Sequence, residues 1–281
     1  MGYKGLAWKS VQIPVVMPKP DLTCLTGGYR KTPVLQIGAD IYCDTKTIAR
    51  ALEKARPQPT LYPPNTEATE RALSSLGDAM FMAGFVVMLG AGMMPPEFLE
   101  DRQKMIATSF DMDDVRRLLP SKRDQIRSSC AALDAQLADG RPFLLGKSIC
   151  LADFSVYNPI SFLSLTPPTA EFIGACKHLG EWRERMAAIG HGQRTEMSAA
   201  DAITIARDSR STTETRVDAN EPNGYAAGDR LTVVPEDYGL DPVTGELVYS
   251  DAYEIALRRS DPRAGEVVVH FPRQGYLTLR A

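Results

Sequence analysis

Lys31-Thr32-Pro33-Val34-Leu35-Gln36-Ile37-Gly38, followed after Ala39-Asp40 by Ile41-Tyr42-Cys43-Asp44-Thr45, is the stretch from which the fold can be read. Residues 33–37 and 41–43 are short apolar runs separated by Gly38-Ala39-Asp40, which predicts two strands and a tight turn. Asp44 then stands where a helix N-cap belongs, ahead of Ile48, Ala51 and Leu52. Upstream, Trp8, Val11 and Ile13 mark another short strand ended by Pro14, and residues 21–25 read as a brief helical turn. Changes of signal every few residues make residues 1–55 a small α/β unit.

The loop over residues 56–64 holds four prolines, Pro57, Pro59, Pro63 and Pro64, and closes that unit. Helical periodicity then runs over residues 65–208. Ile126, Cys130, Leu133 and Leu137 recur at spacings of four, three and four, and Phe172, Cys176, Leu179, Trp182, Met186 and Ile189 form a second apolar stripe before Gly190 and Gly192. Ser198 followed by Asp201 resembles a capping box opening one more helix. These stripes read as core of an all-α domain. Residues 209–228, rich in Ser, Thr, Glu, Asn, Pro and Gly, have the composition of a solvated linker. Five β-rich runs follow over 229–281 (residues 230–235, 245–249, 253–258, 266–271 and 276–279), predicting a small barrel or compact sheet with Val233, Leu247, Ile255, Leu257, Val267 and Val269 buried.

Composition excludes several function classes. With 32 Lys plus Arg against 35 Asp plus Glu in 281 residues, the chain has no basic excess with which to track nucleic acid or an anionic membrane. The acidic surplus lies in residues 225–281. Five Cys and three His show no metal-ligand spacing, so no metal is expected, and unpaired thiols fit a cytoplasmic protein. The uncharged run over residues 79–96 carries Gly84, Gly90 and Gly92 and ends in Pro95-Pro96; it reads as a buried core helix rather than a membrane span.

The Pro33 stretch, with Asp44-Thr45 behind it, resembles the glutathione-binding segment of the glutathione transferase superfamily. The fold implied is a thioredoxin-like α/β small domain plus an all-α helical bundle, with the small β-barrel-like domain after it. The resemblance implies a cis Pro33, with the Thr32 backbone pairing the cysteinyl part of glutathione. It also places the γ-glutamyl end on Asp44 and Thr45, and the glycyl carboxylate within reach of Lys31. A helix N-terminus favours a carboxylate independently of any family, because unpaired N–H groups and the positive dipole end point at it. A second resemblance, Phe143-Leu144-Leu145-Gly146 with Leu151-Ala152-Asp153-Phe154, matches the capped buried helix of the family's C-terminal domain. It places Cys150 at the N-cap, Asp153 at N3, and Ile149 and Phe154 as a hydrophobic staple.

In this family the catalytic Ser, Cys or Tyr lies where the opening strand meets the first helix. Tyr3-Lys4-Gly5-Leu6 matches the end of that helix, so no catalytic residue is carried over, and an upstream start is expected. The absent strand would also leave the Val11 and Pro33 strands each with an unpaired inner edge. Cys24 and Cys43 read as structural, since a neighbouring carboxylate raises a thiol's pKa. The function implied is conjugation of glutathione, as co-substrate, to a small apolar electrophile by a homodimer. The alternative is a non-catalytic binding or scaffold protein of the same fold.

Overall fold

The computed structural model describes residues 1–106 and 111–281. A 3-10 turn at Gly2–Lys4 precedes β1 (Ala7–Val11), α1 (Pro20–Thr26), β2 (Val34–Ile37), β3 (Asp40–Cys43) and α2 (Thr45–Ala55). Six helices follow: α3 (Glu67–Gly90), α4 (Pro96–Ile106), α5 (Met112–Leu137), α6 (Leu151–Leu163), α7 (Pro167–Gly174) and α8 (Lys177–Ala188). Then come β4 (Gln193–Met197), α9 (Ala199–Asp208), β5 (Arg216–Val217), β6 (Arg230–Pro235), β7 (Val243–Ser250), β8 (Glu254–Asp261), β9 (Gly265–Pro272) and β10 (Tyr276–Arg280). Two compact units result. One comprises Met1–Leu6, Arg56–Leu99 and Ser109–Gln193; the other, Ala7–Ala55, Glu100–Thr108 and Arg194–Ala281. The C-terminal strands therefore share a unit with the N-terminal α/β segment, whereas the sequence places a separate domain at 229–281.

Pairing of the strands explains why. β2 and β3 form the expected antiparallel hairpin, Val34 opposite Cys43. β3 also pairs in parallel with β9, Asp40 opposite Val268 and Tyr42 opposite His270. The sheet runs β10-β6-β7-β8-β9-β3-β2, with β5 added on β7. It is open, so of the barrel or compact sheet expected of the tail the structure has the sheet, built as an extension of the hairpin's own. The physical reason is edge protection: without β9, β3 would expose a row of unpaired N–H and C=O groups. β1 lies outside that sheet and pairs with β4, a strand where helical periodicity was expected to continue. All six residues predicted to line the tail's core are buried, and they share one cluster with Cys24, Leu25, Tyr29, Ile41 and Cys43. α1 is tied to the same strands by Arg259, whose guanidinium donates to the Cys24 carbonyl at 2.6 Å.

The stretch read as a solvated linker is half docked. The Ser211 hydroxyl, the Thr212 N–H (2.9 Å) and hydroxyl (3.0 Å) and the Thr213 hydroxyl (2.9 Å) all donate to the Asp40 carboxylate. On its other side stands His270, with Nε2 at 3.4 Å from Asp40 and Nδ1 at 2.6 Å from Glu254. The ring stacks on Tyr42 at 4.2 Å. Composition cannot separate hydroxyls that face water from hydroxyls that satisfy a buried charge. Burial alone would raise the Asp40 pKa, but its hydrogen bonds with His270 and the three hydroxyl residues outweigh that and hold it below the usual carboxylate range.

In the helical unit, the predicted stripe of Ile126, Cys130, Leu133 and Leu137 is buried on α5, against Met80, Ala83 and Val87 of α3. α3 is long and apolar enough, by length and composition, to cross a membrane, but only a third of its most apolar window is buried. The expectation of a buried core helix is thus corrected to one buried face, with Phe81 and Met82 exposed. Gly77 lets α3 approach α6 closely: a Cβ there would lie 2.6 Å from the Ser155 carbonyl oxygen. The second stripe is broken in two, with Cys176 as N-cap of α8. Cys150 caps α6 as predicted, its N–H donating to Asp153 Oδ2 at 3.0 Å. Asp153 Oδ1 accepts from the Leu144 N–H and from Trp182 Nε1, both at 2.9 Å.

Candidate functional site

The residues singled out in sequence meet at one end of the β2–β3 hairpin. Because Val34 pairs with Cys43, the residues just outside the ladder, Pro33 and Asp44, lie side by side. The Thr32–Pro33 peptide is cis. Asp44 has φ of 77°, a left-handed conformation that Asp tolerates better than most residues. Its Oδ1 accepts from the Lys46 N–H at 2.9 Å, so it caps α2 as predicted. Thr45 is exposed at the first helical position, and Thr32 and Pro33 are exposed beside it.

Four residues outside the sequence motif complete the surroundings. The Tyr276 hydroxyl lies 3.1 Å from Asp44 Oδ2 and 3.3 Å from the Tyr29 hydroxyl. Burial pushes both phenols well above their ordinary pKa, and the Asp44 carboxylate adds to the effect, so they remain neutral donors. The Lys31 ammonium is 2.6 Å from Asp237 Oδ1. It also lies over the rings of Tyr238 (4.5 Å), Tyr276 (5.6 Å) and Tyr29 (5.9 Å). Tyr276 thus touches both halves of the site, Asp44 through its hydroxyl and Lys31 through its ring face. Tyr276 comes from β10 and Asp237 and Tyr238 from the loop after β6, more than 190 residues downstream of Asp44. No local pattern marks them.

Residues 1–60 match the glutathione S-transferase N-terminal domain family, and residues 98–185 match the C-terminal domain family. A solved GST-like protein from Pseudomonas syringae is 39% identical, over 100% of this chain and 92% of that one, with a TM-score of 0.81. The chain belongs to the glutathione S-transferase superfamily. A Ceriporiopsis subvermispora glutathione S-transferase solved with glutathione is 21% identical over 67% of this chain and 85% of that one, at a TM-score of 0.51. One from Methylobacterium radiotolerans, solved with glutathione sulfonate, is 21% identical over 56% and 68%, at 0.43. No curated protein matches the sequence.

Within this transferase fold, none of the cysteines is set up as a thiolate. Burial raises every one of them: Cys130 and Cys150 up to about 12, Cys24 and Cys176 by less, and Cys43, fully enclosed beside Asp44, well above its ordinary value. A reactive cysteine needs the opposite environment. Tyr3 is structural, its hydroxyl donating to the Thr60 carbonyl and its ring set against Phe154. Among the described residues, no group of three or more His, Cys, Asp or Glu could hold a metal ion.

Proposed function

We propose that the protein binds glutathione at the Pro33–Asp44 end of the hairpin and conjugates it, as a cytoplasmic homodimer, to a small apolar electrophile. The observation that carries this reading is the Asp44 carboxylate at the N-terminus of α2, beside the cis Thr32–Pro33 bond. In this reading the extended backbone at Thr32 pairs the cysteinyl unit as a strand would. Asp44 accepts from the γ-glutamyl ammonium, and the Thr45 hydroxyl and N–H donate to the adjoining carboxylate, where the helix dipole also favours it. That a transferase of the same fold was solved with glutathione supports the ligand class. The exposed apolar residues of α3, Phe81 and Met82 among them, support a self-complementary contact between two copies. Five free cysteines fit a reducing compartment.

Isothermal titration tests the binding. Glutathione should bind in the micromolar to millimolar range, and Asp44→Ala should weaken it at least tenfold. No heat at millimolar glutathione, or unchanged affinity in Asp44→Ala, would overturn the reading. Sedimentation at micromolar protein that gives only the 30.8 kDa chain would remove the homodimer.

A further inference from the structure

We infer that Asp237 sets the selectivity of this site: by holding the Lys31 ammonium it occupies the cation that a ligand's C-terminal carboxylate would need, so the site takes γ-glutamyl thiols whose C-terminal end is neutral at least as well as the free acid. The inference rests on the glutathione-binding reading and specifies which form of ligand that site accepts.

Three observations carry it. First, the Lys31–Asp237 contact is short, 2.6 Å, and lopsided in exposure: the Lys31 side chain is 11% exposed and Asp237 54%. A nearly buried ammonium must keep an anion partner, and a second carboxylate brought to it meets the Asp237 charge at close range. Second, the groups packed around the ammonium are phenol rings, those of Tyr29, Tyr238 and Tyr276, whose faces attract a cation. Third, the neighbouring cation is committed as well. The Arg30 guanidinium bonds Asp101 at 2.6 Å, both side chains 8% exposed. At the opposite end of the site Asp44 has one neutral phenol and one backbone amide on its oxygens, which leaves it able to accept from an incoming ammonium. The site therefore favours a positive γ-glutamyl amine, while the cations at its other end, Lys31 and Arg30, are both already paired with carboxylates.

The test compares glutathione with its glycyl monoethyl ester by isothermal titration, on the protein, on Asp237→Asn and on Asp237→Asn/Lys31→Gln. The protein should bind the two ligands within about twofold, or the ester more tightly. Asp237→Asn, at an exposed position, should favour the free acid about tenfold or more by releasing Lys31, and the double variant should return the ratio to near one. A protein that already prefers the free acid tenfold, or an Asp237→Asn variant with an unchanged ratio, overturns this inference while leaving glutathione binding in place. Binding of neither ligand to any of the three overturns the binding reading, and the selectivity with it.

Discussion

Replacing Asp40 by Ala tests what joins β3 to β9. The carboxylate is 1% exposed and accepts from three hydroxyls and the Thr212 N–H, with the His270 ring on its far side. The hydroxyls can turn to other acceptors once it is gone, but the Thr212 N–H is fixed by the backbone, and His270 loses one of the two anions flanking it. Removing one partner of a buried charge pair typically costs about 3–5 kcal/mol, because the remaining groups stay buried and unpaired. Against a total stability of about 5–15 kcal/mol, that is a large fraction. Asp40→Asn keeps the volume and one acceptor oxygen, and its amide can donate to the hydroxyls or to a neutral His270, so it should cost roughly half as much.

Native-state hydrogen exchange resolves the effect in the right place. Residues 40–42 and 268–270 form the ladder between these strands, and a loss of 3 kcal/mol raises the exchange of the amides bonded in it more than a hundredfold, since every 1.4 kcal/mol is a factor of ten. An increase below threefold in Asp40→Ala would refute the reasoning. It would mean that the cost of burying the carboxylate cancels what its hydrogen bonds return.

Three further outcomes follow from the same physical reading. Gly77→Ala should destabilise the helical unit by about 1–2 kcal/mol in urea unfolding followed by Trp182 fluorescence; better helix propensity returns up to about 1 kcal/mol, but the Ser155 carbonyl it strikes is backbone and yields little. Cys150→Ser should stabilise that unit by about 0.5–1 kcal/mol, because a hydroxyl is a better cap acceptor than a thiol, and a neutral or negative change would show the thiol's burial to matter more. The pH dependence has two limbs. Burial alone would lower the His270 pKa, but its bonds with Asp40 and Glu254 hold it above the ordinary value, so its contribution is complete below about pH 6.5 and is lost as pH rises through the folded-state value. Asp40, held low, contributes fully above about pH 4 and fades as pH falls through its folded value. Amide protection in β9 should therefore decline from pH 6.5 upward, and that decline should shrink in Asp40→Ala, where only Glu254 is left to favour the imidazolium; a flat profile in the unsubstituted protein would exclude an ionised His270.

What could be read from the sequence was local. Pro33, Asp44 and the runs on either side of Gly38 lie within fifteen residues, and the strand spans of the tail follow from alternation every second residue. Alternation tells which side chains face inward. It is silent on which edge meets which, and the parallel pairing of β3 with β9 joins Asp40 to Val268 with no turn between them to mark it. Asp40 itself looked like a turn residue, because Asp after Gly-Ala is ordinary turn chemistry. Tyr276 and Asp237 were hidden for the same reason: a tyrosine at a strand start and an acid in a loop acquire meaning only from what lies across the sheet.

The buried cluster also has a role that a stability measurement alone does not capture. A parallel ladder of only three paired positions is held by few hydrogen bonds, and one apolar strand edge fits another in several registers. Sliding β9 by one residue along β3 would turn His270 to the opposite face of the sheet and leave Asp40 without it. Sliding by two would restore the face but carry the ring about 6.6 Å along the strand, out of reach of Asp40. Burying a charge with five donor groups therefore penalises every register but one. Since β10 and the loop after β6 belong to the same sheet as β9, that single register is also what sets Tyr276 against Asp44 and Asp237 against Lys31.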